Sequence, residues 1–298
     1  MKRIDFIAKD GKIIKLAVWD EVETPVAAVQ ISHGMSEHIE RYDDFARFLN
    51  KNGYIVIGDD HRAHGLTDSS RLGLSEKNKN LFYDTVTDLG GITDYIKKTY
   101  NLPVFLFGHS YGSFLSQAYL IRYSDKLKGC VFCGSAFYKK STASFGRFTA
   151  KLACILGKDK PGNFFAKITF GSYDKKIKNG KNGWLSNNNE SNEKFNNDKM
   201  CGFTCSNGFY YYFFGGLKDI AKTDLTVINK KTPIYIIYGD GDYVGGCGKL
   251  TEKLYNRYKK AGFNVDKKAY KNMRHEILNE KDNRLVYNDV LEFLNKNR

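Results

Sequence analysis

The residues Gly108-His109-Ser110-Tyr111-Gly112 form a G-x-S-x-G pentapeptide set directly after the apolar run Pro103-Val104-Phe105-Leu106-Phe107, and they open the helix-patterned stretch Ser113–Leu120. A chain that reverses so sharply from strand to helix forces the central serine into a strained backbone conformation, and glycines two residues to either side avoid the clash. The hydroxyl is then exposed at the C-terminal edge of a sheet, where open α/β sheets bind ligands. Ser110 is the candidate nucleophile.

A serine hydroxyl is a weak nucleophile, so a base must take its proton and a carboxylate must orient that base. Of six histidines only His275 follows the long irregular middle of the chain, and it lies after the predicted strand Asn264–Tyr270. Asp240 and Asp242 both follow the predicted strand Ile234–Tyr238, and the residues alone leave the choice between them open. Serine, acid, histidine is the chain order of a triad built on such a sheet.

The elements that must hold these groups are legible as short β-branched runs alternating with helical periods. Lys2–Ala8 and Lys12–Trp19 read as a hairpin turned at Asp10-Gly11; Val26–Ser32, Tyr54–Gly58, Val104–Gly108, Gly129–Cys133 and Ile234–Gly239 read as strands covered on both faces. Helices are expected over Tyr42–Lys51, around Phe82, Val86, Leu89 and Ile96, around Leu250, Leu254 and Tyr258, and around Val286, Val290, Phe293 and Leu294. Gly90-Gly91 weakens the second by about 1 kcal/mol per glycine. The alternation implies an α/β fold with a mostly parallel sheet and helices on both faces.

The rhythm breaks between Ala136 and Thr232, which is Lys/Asn/Gly-rich and contains six consecutive aromatics, Phe209 to Phe214. We expect residues 136–232 to be a cap inserted into a domain made of residues 1–135 and 233–298, and to lie over Ser110. As a helix the aromatic run is apolar on every side and needs burial on more than one face. Its rings either fill the core of the cap or line a pocket.

The net charge is +14, and residues 138–200 hold 13 Lys/Arg against 5 Asp/Glu. That balance favours acidic partners such as an anionic membrane surface or nucleic acid, against the plainer reading of solvated lysines in a Lys- and Asn-rich chain. No RNP-like, KH-like or zinc-knuckle signature is present, so nucleic acid is not expected. The N-terminus meets a second charge cluster before an apolar signal region could form, and no stretch approaches 18 apolar residues, so a soluble cytoplasmic chain is expected, at most peripheral to a membrane. Cys130 and Cys133 form a C-x-x-C whose offset of three in a strand puts them on opposite faces, which argues against zinc or redox chemistry. His33 and His38 with Glu37 lack the H-E-x-x-H pattern, so no metal or other cofactor is expected.

Five ordered motifs, His33-Gly34-Met35-Ser36-Glu37-His38, Asp60-His61-Arg62-Ala63-His64-Gly65, Gly108–Gly112, Gly239-Asp240-Gly241-Asp242-Tyr243-Val244 and His275-Glu276, resemble the monoacylglycerol lipase and lysophospholipase-like branch of the α/β-hydrolases, which is of the serine aminopeptidase S33 type. The resemblance spans nearly the whole chain and implies the α/β-hydrolase fold with a lid. It places the acid of a G-x-x-D-x-V motif on Asp242, leaving Asp240 as a turn residue. It also implies that the backbone amides of Met35 and Tyr111 form the oxyanion hole, and that Phe209, Tyr210 and Phe213 contact substrate. The family's D-H-R-G-H-G carries Ala63 in place of its first glycine, a departure that touches loop conformation.

The function expected is a serine ester hydrolase acting through an acyl-enzyme on monoacylglycerols or lysophospholipids, with Lys175, Lys176, Lys178 and Lys181 resting on anionic lipid. A short-chain carboxylesterase or an aminopeptidase-like hydrolase is the alternative on the same fold. A basic membrane- or RNA-binding protein on an inactive scaffold is the alternative outside enzymes, and it predicts no labelling by a fluorophosphonate.

Overall fold

A computed structural model describes residues 1–76 and 79–298. Strands β1 (Lys2–Ile7), β2 (Ile13–Trp19), β3 (Ala27–Ser32), β4 (Tyr54–Asp59), β5 (Val104–His109), β6 (Gly129–Cys133), β7 (Ile234–Gly239) and β8 (Val265–Tyr270) form one eight-stranded sheet. Its order is β1-β2-β4-β3-β5-β6-β7-β8, and only the β1/β2 and β2/β4 pairs are antiparallel. Every residue of β3, β4, β5, β6 and β7 is buried, as runs without polar alternation require.

Helices α1 (Asp43–Asn50), α2 (Leu81–Tyr100), α3 (Tyr111–Tyr123), α9 (Lys249–Lys260) and α10 (Asn283–Asn297) cover the sheet. Leu89 and Ile92 of α2, Leu115 and Tyr119 of α3, and Leu254 and Tyr258 of α9 pack on one face. Phe45 and Leu49 of α1 and Val286, Val290 and Leu294 of α10 pack on the other. Cys130 belongs to the first cluster and Cys133 to the second, as the two-residue period of a strand dictates.

Gly90 and Gly91 do not interrupt α2. A Cβ at Gly90 would come 2.9 Å from the Tyr123 ring, and one at Gly91 would come 3.1 Å from Phe6. The pair lets α2 lie close to α3 and β1, and that close packing offsets the propensity cost.

Between β6 and β7 the chain forms α4 (Lys140–Gly157), α5 (Asn163–Ile168), α6 (Phe170–Ile177), α7 (Asn189–Asn197) and α8 (Asn207–Lys222). The six-aromatic run opens α8, where Ser206 Oγ caps the helix by accepting from the Phe209 N–H at 3.2 Å. The helix solves its all-round aromaticity on several sides at once. Phe209 and Tyr210 are buried, while Tyr211 and Tyr212 lie under Arg147 and Lys158 of and beside α4. Among the described residues no helix is long and apolar enough to cross a membrane.

Candidate active site

The strand order runs outward in one direction from β3 to β4 and in the other from β3 to β5, so a crevice opens at the C-terminal ends of β3 and β5. Ser32 pairs with Gly108, and the loop after β3 therefore emerges beside the turn after β5. Ser110 sits in that turn at φ 51° and ψ −117°. Its flanking glycines are required by close approach: a Cβ at Gly108 would collide with Ser116 Oγ and lie 2.6 Å from the Gly112 carbonyl, and one at Gly112 would collide with the Ser32 carbonyl. Gly34 is needed for the same reason, since its Cβ would meet Glu37 and come 3.3 Å from Ser110 Cβ.

Asp242 meets His275, and Ser110 and His275 line one cavity. His275 and Asp242 are both buried, and His275 Nδ1 lies 2.9 Å from Asp242 Oδ1, which also accepts from the Val244 N–H at 2.8 Å. His275 Nε2 is buried and has no protein partner. The ring is held between Trp184, at 5.1 Å, and His109, at 4.8 Å. Burial pulls the His275 pKa down, but the charge of Asp242 and its hydrogen bond outweigh this and hold it above the ordinary imidazole value. Asp240 is exposed and instead accepts from the Asn272 N–H at 2.8 Å, the part of a turn residue. Among the described residues, neither the Met35 nor the Tyr111 amide donates to another protein group.

Two cavities meet at Ser110 and Met35. One, of about 350 Å³, is apolar and runs between α3 and the helices between β6 and β7, lined by Tyr210, Phe213, Phe214, Leu217, Ala143 and Phe165 among others. The second, of about 300 Å³, is more polar and reaches His275, Trp184, Asp174, Asn182, Lys167 and Lys181. Tyr210 and Phe213 line the apolar cavity. Phe209 lines neither: it is wedged between Tyr111 (5.2 Å) and His64 (5.7 Å) and fills core.

His33, Glu37 and His38 do not converge. His33 bonds the Gly34 carbonyl and the His61 N–H, Glu37 bonds Gly34, Arg41 and Tyr42, and His38 Nε2 lies 2.7 Å from Asp198. His38, Asp198 and Cys201 bring their donor atoms within 4.8 Å of one another, a set in which the first two are already hydrogen-bonded. Ala63, where the resembling motif has glycine, adopts φ 66° and is held there by Asp68, which accepts its N–H at 2.7 Å.

Sequence reasoning missed Trp184 and Arg41. Trp184-Leu185 is an apolar pair inside a Lys/Asn-rich stretch, and Glu37 and Arg41 stand at an i, i+4 spacing. Both signals were present. Gly134, at φ 59°, was also missed; a Cβ there would press on His275 at 2.9 Å.

A mostly parallel eight-stranded sheet, with a serine held at positive φ between β5 and α3, is the α/β-hydrolase fold. The profile of the family described as serine aminopeptidase, S33 matches residues 23–282, and the chain belongs to this family. It is 26% identical over 292 residues to the monoacylglycerol lipase of Mycolicibacterium smegmatis, covering 97% of this chain and 95% of that one. It is 35% identical over 108 residues to the monoglyceride lipase of Rattus norvegicus, a match that spans 36% of this chain and only 34% of the relative. Among solved structures it is similar to a thermostable carboxyl esterase from Bacillus coagulans in complex with glycerol, at 28% identity and TM-score 0.90 over 99% of this chain and 98% of that one. A soluble variant of the Saccharomyces cerevisiae monoglyceride lipase shares the fold, at 19% identity and TM-score 0.74 over 99% of this chain and 94% of that one.

Proposed function

We propose that this protein hydrolyses carboxylic esters through Ser110, His275 and Asp242, with monoacylglycerols as the substrate class. The observation that carries the reading is His275 Nε2, buried and unpartnered on an imidazole whose other nitrogen faces Asp242, in a cavity shared with Ser110. Ser110 Oγ gives its proton to Nε2 and bonds the ester carbonyl carbon, and the oxyanion accepts from the Met35 and Tyr111 N–H groups. The imidazolium returns the proton to the alcohol oxygen as the C–O bond breaks. Water then repeats the sequence on the acyl-enzyme.

The two cavities divide the substrate. An acyl chain suits the apolar one, and residues 136–232 act as its cap. On the alcohol side, Trp184 Nε1 is a buried donor and Asp174 Oδ1 a buried acceptor, neither with a protein partner. A donor and an acceptor in one cavity suit the hydroxyls of glycerol, each of which can donate and accept. Lys167 and Lys181 in the same cavity favour a second reading, a lysophospholipid whose phosphate they would meet.

Membrane contact belongs to the same proposal, and exposed apolar side chains support it beside the four lysines. Phe145, Phe148, Leu152, Ile155 and Leu156 of α4 and Phe164 and Ile168 of α5 are exposed, and three of them, Phe145, Phe164 and Ile168, line the apolar cavity. The mouth of that cavity therefore opens onto an apolar surface, with Lys140, Lys151 and Lys167 on the same helices.

The test is labelling by a fluorophosphonate, followed by a hydrolysis panel of monoacylglycerols, lysophospholipids, peptide amides and p-nitrophenyl esters of increasing chain length. Labelling that Ser110→Ala abolishes, with highest kcat/KM on monoacylglycerols, is expected. Retained turnover in Ser110→Ala overturns the mechanism, and acetate esters or peptides as best substrates overturn the substrate class.

A further inference from the structure

Three buried imidazoles take no part in the chemistry above. His33, His61 and His64 are each 0% exposed, and His33 stacks on His61 with ring centres 4.0 Å apart. His33 and His64 each hydrogen-bond a peptide group beside Met35, while His61 bonds Ser32 and Asp59 and stacks behind His33.

The Gly34 carbonyl and the Met35 N–H belong to one rigid trans peptide unit, in which C=O and N–H point in opposite directions. His33 Nδ1 is 2.7 Å from that carbonyl oxygen, so it donates there. Its Nε2 accepts from the His61 N–H at 3.0 Å, which fixes the tautomer that leaves the proton on Nδ1. The next peptide unit joins the Met35 carbonyl to the Ser36 N–H, and that N–H donates to His64 Nε2 at 3.1 Å. His64 Nδ1 in turn donates to the Arg62 carbonyl at 3.0 Å. Ser36 sits at φ 58°, a conformation the loop would not hold unaided.

We propose that His33 and His64 are positioning residues for the oxyanion hole: by fixing the peptide planes before and after Met35, they aim its N–H at the reacting carbonyl oxygen. The proposal rests on the reading that the Met35 amide is an oxyanion donor. Only neutral imidazoles can make these bonds, because an imidazolium has no acceptor for the Ser36 or His61 N–H. Burial supplies that neutrality, pushing His64 down to about 3 and His33 well below the ordinary value.

The experiment measures kcat and KM on a soluble p-nitrophenyl ester. Beside these it measures affinity for a trifluoromethyl ketone, which adds Ser110 Oγ to form a tetrahedral oxyanion, and for the matching methyl ketone, which adds it only weakly. Removing an oxyanion donor outright costs about 10²–10³ in kcat. His64→Leu is expected to lower kcat by about 10- to 10³-fold, with KM within about threefold, and to weaken the trifluoromethyl ketone by the same factor while sparing the methyl ketone. His64→Gln, whose amide oxygen reaches the place of Nε2, should recover to within about tenfold of wild type; His64→Asn, one methylene shorter, should not. His33→Asn, which restores a donor in place of Nδ1, should likewise exceed His33→Leu.

Should the leucine variants fail to fold, the Gln and Asn variants of His64 decide, and equal kcat for the two overturns the proposal. A loss confined to KM, or equal weakening of both ketones, overturns it as well. Wild-type kcat in folded His64→Leu, with Ser110→Ala inactive, sinks the positioning role and leaves the triad standing. Activity in Ser110→Ala sinks the triad first.

Discussion

Arg41 grips Glu276, the residue directly after His275, with Nη1 at 2.7 Å and Nη2 at 2.6 Å from its two carboxylate oxygens. The same guanidinium donates to Glu37 at 2.6 Å, and Glu37 holds the Gly34 N–H at 2.5 Å. One largely buried cation thus ties the loop after β3 to the loop that carries His275. Removing one partner of a buried ion pair costs about 3–5 kcal/mol, because the charge left behind is unpaired. Arg41→Met is therefore expected to lower Tm by about 10 °C. Adding Glu276→Gln to Arg41→Met should recover part of the loss, since it removes a stranded charge. Burial pushes the Glu276 carboxyl up, but the charge and hydrogen bonds of Arg41 outweigh it and hold the pKa at about 2. A depressed carboxylate gives stability that is present above its unfolded value, near 4.3, and is lost as pH falls toward 2. Urea melts between pH 5 and 2.5 should show that loss in wild type and less of it in Arg41→Met. Identical slopes would reject the linkage.

The two aspartates after β7 make opposite predictions. Asp242 bonds His275 Nδ1 and Asp240 bonds only a turn amide. Asp242→Asn should lower kcat by about 10⁴, the size of the corresponding change in serine proteases, because an amide can stabilise the wrong imidazole tautomer. Asp240→Asn should stay within about tenfold of wild type. In the proposed mechanism His275 must be neutral to accept the Ser110 proton, and its raised pKa then puts the rise of kcat/KM with pH above the ordinary 6.5. Asp242→Asn removes the largest charge opposing burial and leaves only the weaker pull of Glu276 and Glu37, so the residual activity should rise at lower pH than in wild type. A larger loss at Asp240, or a midpoint that moves upward, would reverse the assignment.

Much of this fold is local, and for that reason it is legible. The strands end within a residue or so of where their β-branched runs end, as with Ile234–Gly239 and Gly129–Cys133. The turn at Ser110 is legible too, because the glycines at 108 and 112 answer clashes within a few residues of Ser110 and with β3. What escaped was long-range. Trp184 meets His275 from the stretch between β6 and β7, 91 positions away, and nothing in its own neighbours points to an imidazole. Phe209 and Phe213 lie one helical turn apart in an identical aromatic setting, yet only Phe213 lines a cavity; the difference is the contact of Phe209 with His64, which no periodicity encodes. The choice between Asp240 and Asp242 turned likewise on which of them His275 approaches.

The apolar cavity should set chain-length preference. Ala143 of α4 is 2% exposed and lines that cavity. Ala143→Phe puts a ring into the space proposed for the acyl chain, at an overpacking cost of about 1–3 kcal/mol. Its kcat/KM should fall at least tenfold on long-chain monoacylglycerols and stay within about threefold on acetate or butyrate esters. Uniform loss across chain lengths would place the acyl chain elsewhere.

The exposed face of α4 gives the last test. Ile155 and Leu156 are each 76% exposed and Phe148 57%, an unusual outlay of apolar surface beside a cavity mouth. None of the three lines a cavity, so replacing them tests the surface without touching the site. Burying such side chains against lipid is favourable by about 1.5–3 kcal/mol each, and nearby lysines add about 1 kcal/mol each at an anionic surface, a part that salt screens. The variant Phe148→Ser, Ile155→Asp, Leu156→Asp should bind phosphatidylcholine–phosphatidylglycerol vesicles at least tenfold more weakly. It should also lose its advantage on vesicle-borne monoacylglycerol while keeping kcat/KM on a soluble butyrate ester. Raising salt should weaken wild-type binding only in part, since the apolar share is unscreened. Substituting Lys175, Lys176, Lys178 and Lys181 by Gln should remove only the salt-sensitive share. If the wild type ignores vesicles and is a dimer that this variant dissociates, the face packs against a second copy of the chain and the lipid reading fails.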